Sequence, residues 1–430
     1  MLKKYFVVSR KGNFFKMSMN MAAKHAVGRK LKDAIFEASK ACQDAIKIHG
    51  AGKVTNATIG VVLDDAGKLS VLPTVEKVFR SMEMSDFTAY APIVGMPDYV
   101  SAVKNIVFEN RTCENYFDAV ATSGGTGAIH HAVANYAERG EKVLTSDWCW
   151  GTYKIICDET GKTLETFKMF NEDLTGFNVE SFSDKVEEIL KTQNSLLMIL
   201  NTPAHNPTGY ALSSDEWDKV LDVIKNHAAN GKKISLLVDV AYIEFSADKK
   251  AAWSFVDKFK NLPENILIML SFSMSKSYTL YGQRTGALAA ISSSREVIEE
   301  FKETNKFSCR ACWSNINHGA QALLTKFDKN ENFRRELEED QKNLREMVNN
   351  RAEIFVKDAE ECGLKIVPYR GGFFIAVPTE NPAAVAEKLH DDLIFAVPLK
   401  FGLRVAACSV PAEKMHGVAQ KIKSAIDSLK

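Results

Sequence analysis

The chain has 430 residues, with 55 Lys+Arg against 54 Asp+Glu, a formal charge of +1, 46% apolar residues and 25% charged ones. That length exceeds one ordinary domain and can bury a large core without disulfide or metal staples, and the composition excludes a disordered chain. The near-zero charge offers no basic excess for a nucleic-acid partner, and no run approaches the roughly 18 apolar residues of a membrane span.

Nine basic residues, from Lys3 to Lys32, precede the first acid, Asp33. Residues 1–30 are expected to be a solvated N-terminal arm. An acid-free basic start is also a property of organellar transit segments, and that reading stays open. The eight cysteines are scattered, which suits free thiols in a reducing compartment, the cytoplasm.

The first strong strand signal is Ala119–Thr122, followed by Ser123-Gly124-Gly125-Thr126-Gly127 and a helical pattern over Thr126–Tyr136. A glycine-rich turn opening a helix exposes backbone N–H groups and makes an anion cradle. A dinucleotide turn is the competing reading, with Asp147 near the ribose position. The spacing is not G-x-G-x-x-G, however. Strand-like Lys142–Thr145 then leads into Asp147-Trp148-Cys149-Trp150, ahead of a strand over Thr163–Phe167.

Leu196–Leu200 is an apolar strand ending in Asn201-Thr202-Pro203-Ala204-His205-Asn206-Pro207-Thr208-Gly209. Two prolines and a glycine fix a loop at the carboxyl end of a strand, where open α/β sheets bind ligands. In Ile234–Val240, Asp239 interrupts an apolar run, and Tyr242 follows. A buried carboxylate is costly unless it meets a positive partner, for which a pyridinium nitrogen or a metal would serve; a strand-end cap for the next element is the plainer reading. In Ile266–Ser271 and beyond, Lys276 follows a buried strand among small hydroxyl residues, with Arg284 eight positions later and a last strand over Gly286–Ile291. A lysine in a dry site loses its proton readily and forms Schiff bases, and an arginine can fork onto a phosphate or carboxylate.

Several of these strands are unbroken apolar runs alternating with helical patterns such as Ser181–Lys191 and Ser214–Asn230. That predicts a doubly wound, mostly parallel sheet. Cys309-Arg310-Ala311-Cys312 is a lone C-x-x-C with no second ligand pair, so no metal site is expected. Asn332–Glu361 is a long charged helical stretch with Gly363 as its stop. After it come strand-like Leu364–Val367 and Phe373–Val377, a helix Pro382–His390, strands Leu393–Val397 and Leu403–Ala407, and a closing helix Ala412–Leu429. The expected organisation is a large domain over 69–343 and a smaller α+β domain from 31–68 and 344–430.

In order and spacing, Gly-Gly-Thr-Gly, Asn-Pro-Thr-Gly, Asp-x-x-Tyr, Ser-x-Ser-Lys with Arg eight residues on, and then Arg404 resemble the class I/II aminotransferases of pyridoxal-phosphate fold type I. They look closest to the aspartate and aromatic branch. The resemblance runs from about Ile59 to Val410. It implies an α/β fold with a large domain built on a mostly parallel seven-stranded sheet, plus a smaller α+β domain.

The resemblance also implies roles. Lys276 would carry pyridoxal 5'-phosphate and move the substrate proton. Asp239 would hold the ring nitrogen, and Tyr242 and Asn206 the phenolic oxygen. Gly125, Thr126, Ser273 and Arg284 would bind the phosphate. Trp150, with Trp148 as runner-up, would stack on the ring. Arg404 would clamp the substrate α-carboxylate, and Gly60 would line the entry. Tyr90 and Arg310 would come from the neighbouring subunit of a homodimer, to the phosphate and to a distal carboxylate respectively. The implied reaction is ping-pong transamination between aspartate, glutamate or an aromatic amino acid and a 2-oxo acid such as 2-oxoglutarate.

A C–S β-lyase or synthase on the same fold is the alternative, because the cofactor carries much of the chemistry. Two other classes fit less. A dehydrogenase leaves Lys276, Arg284 and Arg404 unexplained, and a cofactor-binding regulator would need an appended DNA-binding module, which this near-neutral sequence is not expected to supply. Thr152 and Tyr153 stand where the aspartate enzymes have an amide and a His, which argues against strict aspartate specificity.

Overall fold

The structure, a computed structural model, describes residues 20–31, 33–109, 111–249 and 251–430. Most of the expected N-terminal arm, residues 1–19, lies outside the described residues. Within Met1–Asp33, the Ala26 and Val27 amides both donate to the Ala23 carbonyl, at 2.8 and 3.1 Å. Ala34–Lys430 forms one compact unit.

Strands are numbered in chain order. β1 is Thr55–Ala57, β2 Tyr116–Ser123, β3 Lys142–Ser146, β4 Thr163–Phe167, β5 Ser195–Asn201, β6 Lys233–Asp239, β7 Ile266–Ser273 and β8 Thr285–Ser292. β9 is Phe374–Pro378, β10 Ile394–Leu399 and β11 Gly402–Ala406.

β2 to β8 form a seven-stranded sheet in the order β2-β8-β7-β6-β5-β3-β4. β8 runs antiparallel to both its neighbours, and the β7-β6-β5-β3-β4 pairings are all parallel. Side chains alternate across a strand, so each strand feeds two cores. Leu196, Met198 and Leu200 of β5 join one apolar cluster, and Leu197 and Ile199 join another on the opposite face. Both faces are covered, which is why β7 is buried at every position and its sequence reads as one apolar run.

The chain leaves β3 for β4 at the edge, then returns to place β5 on the other side of β3. That reversal opens a crevice at the carboxyl ends of β3 and β5.

The second sheet has the order β1-β10-β11-β9, with β1 parallel to β10 and the other pairs antiparallel. The helix Glu331–Cys362 serves both cores. Its Leu337 and Leu344 pack in the cluster around the large sheet, and Ala352, Phe355 and Ala359 in the cluster around the small one. At 32 residues it spans about 48 Å. Where it passes from one core to the other, the buried Arg351 donates to the carbonyls of Leu63 and Cys408, at 2.8 and 3.0 Å, and to Asp65 Oδ1 at 2.8 Å.

Two expectations from sequence need correction. Residues 364–367 join no ladder among the described residues. Only the Val367 amide reaches across, to the Ala376 carbonyl at 3.1 Å, and Pro368 behind it lacks the donor that would extend pairing. The closing helix is two helices, Ala412–Met415 and Val418–Asp427. Gly417 separates them at φ 81°, a left-handed angle that glycine adopts readily, and its amide donates to Asp358 Oδ2 at 2.8 Å. Among the described residues, no helix is long and apolar enough to cross a membrane.

Candidate active site

The carboxyl ends of β5, β6 and β7 place Asn201, Asp239 and Ser271 side by side in register. The Asn201 side chain donates to the Asp239 carbonyl at 2.7 Å and accepts the Asn206 amide at 2.6 Å, tying the Asn-Pro-Thr-Gly loop to the neighbouring strand. The Asp239 carboxylate is buried, and burial raises its pKa to about 6. The Tyr153 hydroxyl, 2.7 Å from Oδ2, and the Ala241 amide, 3.2 Å from Oδ1, keep it from rising further.

Lys276 sits on the short helix Met274–Ser277 that follows β7, and Ser273 caps that helix by accepting the Ser275 amide at 3.2 Å. Its Nζ donates to the Gly60 carbonyl at 2.7 Å and lies 4.7 Å from the Tyr281 ring, 5.6 Å from Tyr242 and 5.8 Å from Phe373. Half-buried by surface area but walled by protein, the ammonium is disfavoured. Burial first, then the charges of Arg404 and Arg284, bring its pKa down to about 8. A substantial neutral fraction is therefore available near physiological pH.

The helix Gly124–Tyr136 begins directly at the end of β2, and its N-cap Ser123 makes no side-chain capping bond. Its first N–H groups are therefore left for a ligand. Arg284 leans over this terminus, donating to Ser275 Oγ and to the Tyr281 carbonyl, each at 3.1 Å. A Cβ on Gly124, whose φ is +65°, would lie 2.7 Å from Arg284 Nη2. The glycine thus serves both the backbone angle and the seating of the guanidinium.

Arg404 comes from β11 in the other sheet. It is buried, donates to the Thr58 carbonyl at 2.7 Å and to Asn206 Oδ1 at 3.4 Å, and lies 4.2 Å from the Phe374 ring centroid.

These groups meet in one cavity of about 310 Å³. Its lining includes Gly60, Gly125, Thr126, Trp150, Asn206, Asp239, Tyr242, Ser273, Lys276, Arg284 and Arg404. Trp150 lines it and packs edge-on against Tyr153, whereas Trp148 is buried elsewhere against Phe401.

Two expected site residues lie outside this lining. Tyr90 is 89% exposed, and Arg310, in the last turn of the helix Arg295–Cys312, is also exposed and bonds to Ser314. The sequence reading assigned no role to Asn201, Tyr153, Tyr281 or Ser275. Asn201 had a signal, as the polar residue ending an apolar strand. Tyr153 was marked only as standing where the aspartate enzymes have a His, and Tyr281 had no signal, because their contacts reach across the fold.

Residues 52–422 match the family model of the class I and II aminotransferases. The mitochondrial aspartate aminotransferase of Schizosaccharomyces pombe is 26% identical over 280 residues, 63% of this chain and 61% of that enzyme, so the alignment spans about three fifths of the relative's length. The crystal structure of an aminotransferase from Anaerococcus prevotii is 38% identical with a TM-score of 0.93, covering 95% of this chain and 100% of that one. An aromatic-amino-acid aminotransferase of Burkholderia pseudomallei, covalently bound to pyridoxal phosphate, shares the fold at a TM-score of 0.76 and 20% identity, covering 94% and 100%.

Proposed function

The chain belongs to the class I and II aminotransferase family, and on that premise we propose that it transfers an amino group between an L-amino acid (aspartate, glutamate or an aromatic one) and a 2-oxo acid such as 2-oxoglutarate. The observation that carries the reading is that Lys276, Asp239, Arg284 and Arg404 line one cavity. The family uses pyridoxal 5'-phosphate. The donor set suits that group. The open helix start, Ser273 and Arg284 form an anion cradle, the buried Asp239 awaits a cationic ring nitrogen, and the lowered pKa of Lys276 suits a Schiff base.

When bound, the cofactor supplies an electron sink. Gly125, Thr126, Ser273 and Arg284 would hold its phosphate, Trp150 its ring face, Asp239 its ring nitrogen, and Tyr242 and Asn206 its phenolic oxygen. Arg404 fixes the substrate by its α-carboxylate, since a planar guanidinium fork matches a carboxylate. Lys276 Nζ, neutral above about pH 8, takes the proton from the substrate Cα. One cavity serves both half-reactions, so the first 2-oxo acid leaves before the second enters.

Tyr90 and Arg310, both exposed in the single chain, fit contribution to a partner's cavity in a homodimer, with Arg310 meeting a distal carboxylate. Gly60 lines the entry, and the cytoplasm is the proposed compartment.

A panel of amino donors and oxo acids tests this reading. Glutamate alone should release no more than one equivalent of 2-oxoglutarate per cofactor-loaded site, and repeated turnover should require a second oxo acid. Arg310→Ala should raise KM for 2-oxoglutarate at least tenfold and leave monocarboxylic acceptors little changed. Pyruvate release from cysteine-like substrates without an acceptor would instead mark a C–S lyase.

A further inference from the structure

The helix Gly124–Tyr136 carries His130 and His131 beyond its cradle, and the helix Arg295–Cys312 ends on Cys312, two residues after Arg310. These three residues each bring one ligand atom to within 4.8 Å of the others. None of them lines the 310 Å³ cavity, so the transamination chemistry leaves them unused.

His131 is 0% exposed, yet neither ring nitrogen has a hydrogen-bond partner among the described residues. A buried imidazole in that state leaves both its lone pair and its N–H unmatched, which is costly. The Trp313 ring stacks on it at 4.3 Å and 7°, restricting its orientation. His130 Nε2 stands 3.1 Å from Glu159 Oε2, which adds a carboxylate beside the cluster. Cys312 is exposed, so an ion can enter from solvent.

We infer that His130, His131 and Cys312 form a binding site for a zinc-class transition-metal ion, with Glu159 or water as the fourth ligand. Two imidazoles and a thiolate select a borderline-soft ion, whereas Mg²⁺ and Ca²⁺ favour all-oxygen sites. Tetrahedral zinc holds its donors roughly 3.4–3.7 Å apart, so with His131 held in place, small rotations of the less buried His130 and Cys312 side chains bring the three into range. Coordination would occupy the lone pair of His131. It would also tie the cradle helix to the segment that bears Arg310. The spacing of the cysteines could not show this, because the ligands come from two helices and Cys309 is not among them.

The test uses the cofactor-loaded enzyme with Co²⁺ as the probe, read by equilibrium dialysis and absorption. The expected result is one Co²⁺ per chain with a thiolate-to-cobalt charge-transfer band. Zn²⁺ should displace the ion, and excess Mg²⁺ should not. Cys312→Ser should abolish the band, and His130→Ala should weaken Co²⁺ binding at least tenfold. Both positions retain solvent contact, so both variants should fold. Cys309→Ser should keep the band. Failure to retain Co²⁺, or a band that persists in Cys312→Ser, would overturn the site.

Discussion

The Tyr153 hydroxyl donates to Asp239 Oδ2 at 2.7 Å, and both groups are buried. Tyr153 arises from the helix after β3, and Asp239 ends β6, two strands away in the sheet. The bond is made to the charged carboxylate, so it favours ionisation against the burial that opposes it. Tyr153→Phe removes it, and the Asp239 pKa should then rise above about 6. The acidic limb of kcat against pH should move to higher pH, and kcat at neutral pH should fall roughly 10- to 150-fold, in line with about 1.5–3 kcal/mol for a bond to a charged group. An unmoved acidic limb would show that Asp239 gains nothing from Tyr153.

Schiff-base formation requires a neutral amine. Burial depresses the Lys276 pKa to about 8, so the neutral fraction grows as pH rises towards that value and saturates above it. The initial rate at which the cofactor-free protein takes up pyridoxal phosphate should rise with pH and level off above about 8. A rate that keeps climbing towards pH 10 would place the lysine in an ordinary aqueous environment. Lys276→Ala should lose at least ~10³-fold in transamination, measured by coupled assay, since a base and a covalent anchor go together.

At Gly124 a Cβ would meet Arg284 Nη2 at 2.7 Å, on a backbone held at φ +65°. Gly124→Ala should therefore displace the guanidinium and strain the turn. Cofactor affinity, from fluorescence titration, should fall at least ~10-fold, and thermal stability should fall by about 1 kcal/mol. The neighbouring Gly127→Ala should act differently. Its Cβ would approach the Trp313 ring at 3.1 Å and not Arg284, so cofactor affinity should hold better than in Gly124→Ala.

Arg404 is fixed by the Thr58 carbonyl and by its place over the Phe374 ring. Arg404→Lys keeps the charge but loses the planar fork. It should raise KM for every amino donor about 10- to 100-fold, corresponding to roughly 1.4–2.7 kcal/mol. A rise confined to dicarboxylic donors would mean that Arg404 reads the distal carboxylate instead.

Arg351 tests the joint between the two cores. Its guanidinium holds two carbonyls and Asp65 while buried. Arg351→Met replaces the charge with an apolar chain of similar length but leaves the Leu63 and Cys408 carbonyls without these donors. A loss of about 2–4 kcal/mol in urea unfolding is expected, by analogy with removing one partner of a buried polar set.

The sequence carries its clearest information where chemistry and chain order coincide. The β2-turn-helix, the loop after β5, Asp239 at the end of β6 and Lys276 just past β7 each read as a strand followed at once by a reactive or ligand-binding residue. Such units are local: a buried parallel strand needs an apolar run, and its carboxyl end is where a loop can present a side chain. The seven strands of the large sheet and the long helix ending at Gly363 were legible for the same reason. What failed was equally local in origin. Residues 364–367 have strand composition but stop at Pro368, and Gly417 interrupts an amphipathic run that periodicity alone continues.

Only the tertiary structure decided who meets whom. The strand order brings Tyr153 to Asp239 and Asn201 beside it. The second sheet delivers Arg404 from beyond position 400, and the Gly60 carbonyl reaches Lys276 across 216 positions of chain. The choice of Trp150 over Trp148 for the cavity, and the gathering of His130, His131 and Cys312, belong to the same class. Periodicity and loop chemistry act over a few residues, whereas these contacts depend on how sheets are ordered and stacked, which is settled by burial summed over the whole chain.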